Sequence, residues 1–266
     1  MPGVPVTLTL EPRVHGGLTV FAVDAVARLG VDAFVTSRDG GVSCAPYDTL
    51  NLGDHVGDDP EAVRENRRRV ARAAGVDLEH LVIVNQVHGR GVVSVAGPIG
   101  PTSADAIVSD ASDVALAVLV ADCAPVLVVD AASSRFAVAH AGWRGLVAGV
   151  LGEVVSRFDD PSTLHAVVGP TISPVGYQVG AEVAEHFRDV ADVLAPDDEG
   201  RWRLDVAGVV VHQLRGAGIG DGHIVRVAQS TDGGHTFFSD RASRPCGRNA
   251  LVARRSMSAA MHEGRQ

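Results

Sequence analysis

Two histidines and a cysteine stand in similar sequence contexts, each next to the end of an apolar, strand-like run. Runs 81–84, 114–120 and 136–139 come before His88, Cys123 and His140, respectively. Side chains at strand ends are held rigidly and reach the surface, so residues from several strands can converge there. We therefore predict that His88, Cys123 and His140 form one site.

These three residue types suit a metal ion. A thiolate and two neutral imidazoles suit Zn²⁺ and leave a fourth coordination position for water, whose pKa falls to about 7 on zinc. The same donors could hold Cu²⁺, which binds such sites more tightly than Zn²⁺ does. Their separations of 35 and 17 residues match no zinc-finger spacing. A metal-free alternative therefore stays open, in which Cys123 is a nucleophile activated by a histidine.

Two arginines could supply an anion site near these residues. Arg144 lies in the turn that opens a predicted helix, where free backbone N–H groups and the helix dipole favour negative charge. Arg38 lies in a glycine-rich turn, and a guanidinium matches phosphate geometry with two parallel hydrogen bonds. We expect a phosphate or a carboxylate to bind at one of these arginines.

The composition narrows the class of protein. The chain has 266 residues, 46% of them hydrophobic, which is enough for a large core. It has no apolar run near the roughly 20 residues of a membrane span and no evident signal peptide. The net charge of −9 disfavours nucleic-acid binding. All 23 basic residues are arginine, which excludes Schiff-base and P-loop lysine chemistry.

The cysteine content indicates a reducing compartment. The three cysteines, Cys44, Cys123 and Cys246, are too few and odd in number for a disulfide framework. We therefore expect a cytoplasmic protein. We also expect Cys44 and Cys246 to be dispensable, because neither follows a strand end with a matched partner.

The rest of the pattern predicts the elements that position the site. The apolar runs around Cys123 are continuous, as in strands buried on both faces. A helix is predicted for 60–74, where an aspartate cap precedes a proline. Apolar residues at helical spacing predict another helix over 147–158, directly after His140. We predict an α/β (α+β) fold in a single domain, 1–266, with mixed sheets flanked by helices.

Further elements follow from the same reasoning. Two more helices are predicted for 183–194 and 206–217, and 195–200 is interpreted as a polar loop. The remaining predicted strands are 4–10, 18–23, 33–36, 91–95, 104–108, Leu164–Val168, Ile224–Val227 and 250–252.

A series of motifs in a fixed order makes the sequence recognisable. The motifs are residues 36–43, 50–53, 55–58, 86–89, 104–106, 121–123, 140–145, 169–170, 177–180, 237–239 with Arg241, and 247–248. Together they resemble the YfiH (DUF152) family, also called the polyphenol oxidase or laccase-domain family and peptidoglycan editing factor. The resemblance covers about residues 34–254.

The resemblance implies a zinc-dependent enzyme. It assigns His88, Cys123 and His140 as metal ligands and catalytic residues, and we expect Arg38, Asn51 and Arg144 to bind substrate. The family is associated with phosphorolysis of adenosine, inosine and S-methyl-5′-thioadenosine, and with adenosine deamination. The implied partners are a small-molecule nucleoside and phosphate, with no nucleic acid and no membrane. The implied fold is related to that of a toxin cysteine hydrolase.

Other functions remain to be weighed. Some family members are linked to hydrolysis that removes a wrong serine from a UDP-muramyl precursor of peptidoglycan. A non-enzymatic zinc protein is disfavoured, because structural zinc sites normally have four protein ligands. A multicopper laccase is also disfavoured, because the 11 histidines include no His-x-His pair. The chain departs from the usual family motifs at Thr171, Ser230 and Asp240, and we expect these changes in the pocket wall.

Overall fold

The computed structural model describes residues 5–256 and contains sixteen strands over that range. The strands are β1 Val6–Leu8, β2 Pro12–His15, β3 Leu18–Ala22, β4 Val31–Thr36, β5 Leu81–Ile83, β6 Val92–Val95, β7 Ala106–Ser109, β8 Ala115–Val120, β9 Ala124–Asp130, β10 Phe136–Ala141, β11 Leu164–Val168, β12 Gln178–Val179, β13 Leu194–Pro196, β14 Trp202–Leu204, β15 Ile224–Val227 and β16 Asn249–Arg255.

Five α-helices and several short 3-10 turns connect these strands within the described range. The helices are α1 Pro60–Ala73, α2 Trp143–Ala148, α3 Val150–Val155, α4 Ala181–Ala184 and α5 Val206–Gly216. None of them is long and apolar enough to cross a lipid bilayer.

The strands form two large mixed sheets and one small one. The seven-stranded sheet has the order β1-β15-β11-β9-β10-β7-β6, and the six-stranded sheet has the order β2-β3-β4-β16-β8-β5. Strands β12, β14 and β13 form the third sheet. This confirms the predicted mixed α/β class, with sheets flanked by helices.

Side-chain alternation on the central strands shows how the sheets stack. In β9, Val126 and Val128 pack against the core that contains α3 and α5, whereas Leu127 and Val129 face the other large sheet. Along β8, one set of alternate residues points into the core between the two large sheets, and the other set points into the core beneath α1. Because side chains of a strand alternate between its faces, the protein has four layers: helices, sheet, sheet, helix.

Most predicted elements occur close to their expected positions. Helix α1 begins at Pro60, with the Asp59 side chain accepting a hydrogen bond from the backbone N–H of Glu61. The strands on both sides of Cys123 are buried at every position. The predicted strand 4–10 corresponds to β1, and residue 4 lies outside the described residues. Strand β2 was not predicted, and all four of its residues are exposed.

Three predicted elements are wrong in detail. The single helix expected over 147–158 is two helices, because Gly149 adopts a left-handed backbone conformation with φ 87° between α2 and α3. The helix expected over 183–194 contains only the one-turn α4, a 3-10 turn and then β13. Its last residue, Leu194, pairs with Leu204 in the small sheet, so tertiary pairing overrode the helical spacing. Residues 195 and 196, which were expected in the loop 195–200, belong to the same strand pairing.

The path of the chain brings three connections to one place. Strands β8 and β9 belong to different large sheets, so residues 121–123 cross from one sheet to the other. Strand β5 runs parallel to β8, so the loop after β5 begins at the edge where β8 ends. Strand β10 runs antiparallel to β9 and pairs His140 with Pro125, just beyond the crossing.

We expect Val129→Ala to lower the free energy of unfolding by roughly 2 kcal/mol, because it removes two methyl groups from the core between the sheets and leaves a cavity. Val129 is fully buried. Val14→Ala is the matched control, since Val14 is another strand valine but is 76% exposed; it should change stability by less than about 0.5 kcal/mol. Denaturant unfolding measures both, and equal effects would contradict the layer assignment.

Candidate metal centre and its cavity

His88, Cys123 and His140 lie together at the crossing between the two sheets. Their potential ligand atoms are all within 4.8 Å of one another. The two imidazole rings meet edge to face, with 4.7 Å between their centroids and 85° between their planes. The structure thus brings together three residues that the sequence separates by 35 and 17 positions.

His140 lies in a different local position from the one expected. It is the second-last residue of β10 and not the first residue after the strand. The strand continues because residues 140 and 141 still pair with β9. His140 is therefore a buried strand residue, with 3% of its surface exposed.

The buried carboxylate of Asp105 orients both histidines. Its oxygens accept hydrogen bonds from the backbone N–H groups of Val87 at 3.3 Å, His88 at 2.9 Å and Gly89 at 2.6 Å. The same carboxylate contacts Nδ1 of His140 at 2.9 Å. One fully buried side chain therefore fixes the His88 loop and the ring of His140.

The contact with Asp105 decides which nitrogen of His140 is available. A carboxylate only accepts hydrogen bonds, so Nδ1 of His140 carries the proton and Nε2 is the nitrogen left for a metal. Burial alone would lower the pKa of His140, but its hydrogen bonds with Asp105 and Cys123 raise that pKa to about 9. Burial would likewise raise the pKa of Asp105, yet the hydrogen bonds from His140 and Gly89 hold it below its usual value.

The turn that carries Cys123 is held by contacts from distant parts of the chain. Asp122 has a positive φ of 92°, which is strained for a residue with a side chain. Its carboxylate accepts hydrogen bonds from Thr231 Oγ1 at 2.6 Å and from the backbone N–H of Arg241 at 2.7 Å. These contacts stabilise the strained turn and so fix the direction of the Cys123 side chain.

Cys123 has the properties of an activated thiol in the metal-free protein. Burial alone would raise its pKa, but hydrogen bonds with His140 and His88 outweigh burial and lower the pKa to about 6. At neutral pH the Cys123 thiolate therefore lies beside a protonated His140, and a metal ion that binds here would displace the proton from Nε2. A donor set of one thiolate and two imidazoles fits a metal that prefers nitrogen and sulfur ligands, with room for a fourth ligand from solvent or substrate.

Gly142 and Gln86 complete the support of the three side chains. A Cβ atom on Gly142 would lie 2.8 Å from Sγ of Cys123, so only glycine leaves room for the thiol. The Gln86 amide donates to the carbonyl of Leu119 at 2.7 Å and accepts from the N–H of the same residue at 2.7 Å. This double contact fastens the loop before His88 to the end of β8.

The three residues form part of the wall of a cavity of about 450 Å³. That volume lies within the usual range for small-molecule sites, about 300–1,000 Å³. The lining is His55, Val56, Gln86, His88, Leu119, Val120, Ala121, Cys123, His140, Asp240, Arg244, Pro245, Cys246 and Arg248. Two arginines and one aspartate thus face the same space as the histidines and the thiol.

The three residues expected to bind substrate lie elsewhere in the part of the chain that the structure describes. Asn51 is completely buried, and its Oδ1 accepts hydrogen bonds from the N–H groups of Gly53 and Arg248, both at 2.9 Å. Arg38 is paired with Asp48 and lies over the ring of Phe238. The geometry therefore favours a supporting role for Asn51, beneath Arg248.

Arg144 is exposed, and its guanidinium lies over the ring of its neighbour Trp143 at 4.2 Å. The helix that it was expected to open, α2, has only six residues. Like Arg38 and Asn51, Arg144 does not contribute to the lining of this cavity. A direct contact of any of the three with substrate stays a prediction.

Sequence reasoning missed several residues that shape the site. Asp105 was noticed only as part of a motif, although a charged residue inside the apolar run 104–108 was a usable signal. Cys246, which was expected to be dispensable, lines the cavity, whereas Cys44 is exposed. That both cysteines are dispensable stays a prediction. Of the three departures from the family motifs, Asp240 is in the cavity wall. Thr171 and Ser230 instead form a β-bridge outside this lining.

Comparison with known proteins gives one family and consistent relatives. A family model described as multi-copper polyphenol oxidoreductase laccase matches residues 32–256. The chain is 41% identical to the purine nucleoside phosphorylase YfiH of Escherichia coli K12 over 234 residues, covering 83% of this chain and 92% of the relative. It is 43% identical over 224 residues to the purine nucleoside phosphorylase ORF3 of Streptomyces griseus, covering 81% and 90%.

Solved structures have the same fold. The crystal structure of YlmD from Geobacillus stearothermophilus has a TM-score of 0.86 and 29% identity, and covers 93% of this chain and 98% of that one. The crystal structure of a DUF152 protein from Neisseria meningitidis has a TM-score of 0.79 and 37% identity, and covers 85% and 95%. Both similarities confirm the fold inferred from the motifs.

We expect Asp105→Asn to weaken metal binding by about 10- to 100-fold, because residues that orient metal ligands typically contribute that much. An asparagine amide has one acceptor oxygen instead of two, so it can no longer accept all the hydrogen bonds from the His88 loop and His140. Asp130→Asn is a matched control: Asp130 is also buried and accepts three hydrogen bonds, but from Ala132, Ser133 and Thr163. Competition with a chelator measures the metal affinity, and equal losses in both variants would contradict the role of Asp105.

In the metal-free protein, the Cys123 thiolate should persist at neutral pH and be lost only as the pH falls through about 6. Thiolate ultraviolet absorbance measures this in a Cys44→Ser/Cys246→Ser variant, where Cys123 is the only thiol. The same variant unfolded in urea is the control, and its midpoint should return to about 8.5. An unchanged midpoint on unfolding would show that the histidines do not stabilise the thiolate.

Proposed function

The chain belongs to the family whose model is described as multi-copper polyphenol oxidoreductase laccase. Because members of this family that resemble the chain are named purine nucleoside phosphorylases, we propose that it is a purine nucleoside phosphorylase. Two curated relatives with this name are 41% and 43% identical to it over most of their length. The observation that carries the proposal is the cavity, in which a Cys-His-His cluster and two guanidinium groups face one space of about 450 Å³. We further propose adenosine, inosine and S-methyl-5′-thioadenosine as substrates.

The proposed reaction transfers a ribosyl group from a purine to phosphate. A phosphate oxygen forms a bond to C1′ of the nucleoside as the bond between C1′ and N9 of the base breaks. The base leaves with the bonding electron pair and takes up a proton. The products are the free purine and ribose 1-phosphate, or 5-methylthioribose 1-phosphate when the substrate is S-methyl-5′-thioadenosine. The role proposed for the cavity is to hold both substrates next to each other, so that their reaction takes place within one complex.

We propose Zn²⁺ as the metal, held by His88 Nε or Nδ, Cys123 Sγ and His140 Nε2, with Cu²⁺ as the alternative occupant. A bound zinc ion would supply a Lewis acid that stabilises developing negative charge and lowers the pKa of water. Asp105 keeps the Nδ1 proton of His140 in place and so presents Nε2 to the cluster. The depressed pKa of Cys123 provides a thiolate without strong base.

The proposal includes adenosine deamination at the same site. In that reaction water adds to C6 of the adenine ring, the bond from C6 to the amino nitrogen breaks, and ammonia leaves. Deamination needs no phosphate, so the two activities should respond differently to phosphate concentration.

The second candidate function is hydrolysis of a misplaced serine from a UDP-muramyl precursor of peptidoglycan. The observation that favours it is the thiolate of Cys123 beside two histidines, which is also the arrangement of a cysteine nucleophile and its base. A non-enzymatic zinc protein is the third candidate. The nucleoside reaction is preferred because of the names of the curated relatives.

The proposal places the enzyme in the cytoplasm, acting on small molecules and not on nucleic acid or membranes. The thiols of Cys44, Cys123 and Cys246 are free in the structure, which suits a reducing compartment.

Product analysis tests the proposal. Purified protein with stoichiometric zinc should convert inosine to hypoxanthine and ribose 1-phosphate only when phosphate is present. Cys123→Ala should lose zinc and lower the rate by more than about 100-fold, a larger effect than loss of a supporting contact. Cys44→Ala, at an exposed cysteine, is the matched control and should leave the rate unchanged.

The alternatives predict different products from the same preparations. Release of ammonia from adenosine without phosphate supports the deaminase, and free serine from a serine-containing precursor supports the editing hydrolase. Absence of both the free purine base and the corresponding sugar 1-phosphate with every purine nucleoside offered, in zinc-loaded protein, would refute the phosphorylase.

A further inference from the structure

The cavity has a basic wall that the Cys-His-His cluster does not explain. Arg244 and Arg248 both line it, and Asp240 lies between them. Arg248 contacts Asp240 at 3.3 Å, and Arg244 forms an ion pair with the same carboxylate. Asp240 is the one acidic residue in the lining formed by the described residues, so two guanidinium groups share a single negative charge.

Arg248 is held in a fixed position before any ligand binds. Its side chain is only 20% exposed. Its Nη1 group donates to the backbone carbonyls of Cys246 and Gly247, both at 3.1 Å. Its own backbone N–H donates to the buried Asn51 at 2.9 Å. Pre-organisation of this kind lowers the entropy lost on binding a ligand.

Arg244 is the more exposed of the two arginines. Its side chain is 76% exposed and its partner in the described residues is Asp240, four positions earlier in the chain. Exposed ion pairs contribute little stability, typically about 0–1 kcal/mol, so an anion with more charge than a carboxylate can replace Asp240 as the partner of Arg244. A phosphate dianion has that charge and three acceptor oxygens.

Neighbouring residues of the lining add a hydrogen-bond donor and apolar surface to the two arginines. His55 is on the same wall, and its pKa is lowered by partial burial and by the charge of Arg248, so it is neutral at pH 7 and can donate a hydrogen bond without adding charge. Val56 and Pro245 add apolar surface. The wall thus combines one largely buried cation, one exposed cation and a neutral hydrogen-bond donor in the cavity that Cys123 also lines.

We propose that Arg248 and Arg244 bind the inorganic phosphate of the phosphorolysis reaction, with Asp240 occupying the position of the phosphate oxygens until phosphate arrives. The inference rests on the proposed function and names the site of its second substrate. It assigns phosphate to residues other than Arg38 and Arg144, the two that the sequence suggested. The same chemistry could serve the phosphate group of a nucleotide, and the experiment separates the two sources.

The test is calorimetric titration of inorganic phosphate into zinc-loaded protein, with no nucleoside present. Arg248→Met keeps an unbranched apolar side chain and should weaken phosphate binding by about 10- to 100-fold, the effect of losing one or two charge-assisted hydrogen bonds. Arg244→Met should weaken binding by about two- to fivefold, because this arginine is exposed. Arg157→Met is the matched control, since Arg157 also pairs with an acid four positions earlier, Glu153, but on α3; it should leave binding unchanged.

Asp240→Asn distinguishes a binding role from a structural one. If Asp240 competes with phosphate for the two arginines, the uncharged variant should bind phosphate several-fold more tightly. If Asp240 only holds the arginines in place, the variant should bind phosphate more weakly, and the claim that Asp240 occupies the phosphate position would be overturned. Metal content is measured in every variant, so that a change in binding is not mistaken for loss of zinc.

Two further outcomes separate this site from the proposed function. Phosphate binding that weakens in Arg248→Met and Arg244→Met supports the site even if no nucleoside is converted, and in that case only the phosphorylase proposal fails. Phosphorolysis whose KM for phosphate is the same in Arg248→Met and Arg244→Met as in the unmodified protein overturns the site and leaves the phosphorylase intact. Arg248-dependent binding of adenosine 5′-monophosphate by a protein that does not bind inorganic phosphate would overturn the assignment to free phosphate.

Discussion

The site depends on one buried carboxylate. Asp105 is completely buried and accepts hydrogen bonds from three consecutive backbone N–H groups as well as from His140. A buried charge without such partners would cost several kcal/mol, so the loop around His88 and the ring of His140 are the solvation that this charge requires. Because the buried charge of Asp105 needs hydrogen-bond partners, this one side chain fixes the positions of two potential metal ligands, His88 and His140.

The second constraint is the position of Cys123 between two sheets. Residues 121–123 leave β8 in one sheet and enter β9 in the other, and both strands are buried at every position. Close-packed strands cannot shift independently, so the crossing between them has little freedom. The strained φ of Asp122 is tolerated there because contacts from Thr231 and Arg241 over-determine it. Rigid layers and a strained turn together place the thiol.

The sequence predicted this arrangement well where local signals were strong. Apolar runs predicted the central strands, the aspartate-proline pair predicted the start of α1, and chemically active side chains near strand ends predicted the cluster of His88, Cys123 and His140.

The predictions that failed have physical causes. Helical spacing over 183–194 was overridden by strand pairing in the small sheet, and Gly149 interrupted a helix whose apolar pattern continued through it. Asp105 could have been noticed by its charge inside an apolar run. Arg248 and Cys246 could not be assigned from spacing, because their roles come from contacts between segments far apart in the chain.

The crossing of the chain between sheets has a consequence for assembly of the protein. His88 follows a strand of the six-stranded sheet, His140 belongs to a strand of the seven-stranded sheet, and Cys123 connects the two. A metal ion on these residues would act as a cross-link between layers, closing loops of the folded chain much as a disulfide does. Because its ligands meet only after both sheets have formed and docked, the metal would bind late in folding and then slow the separation of the layers.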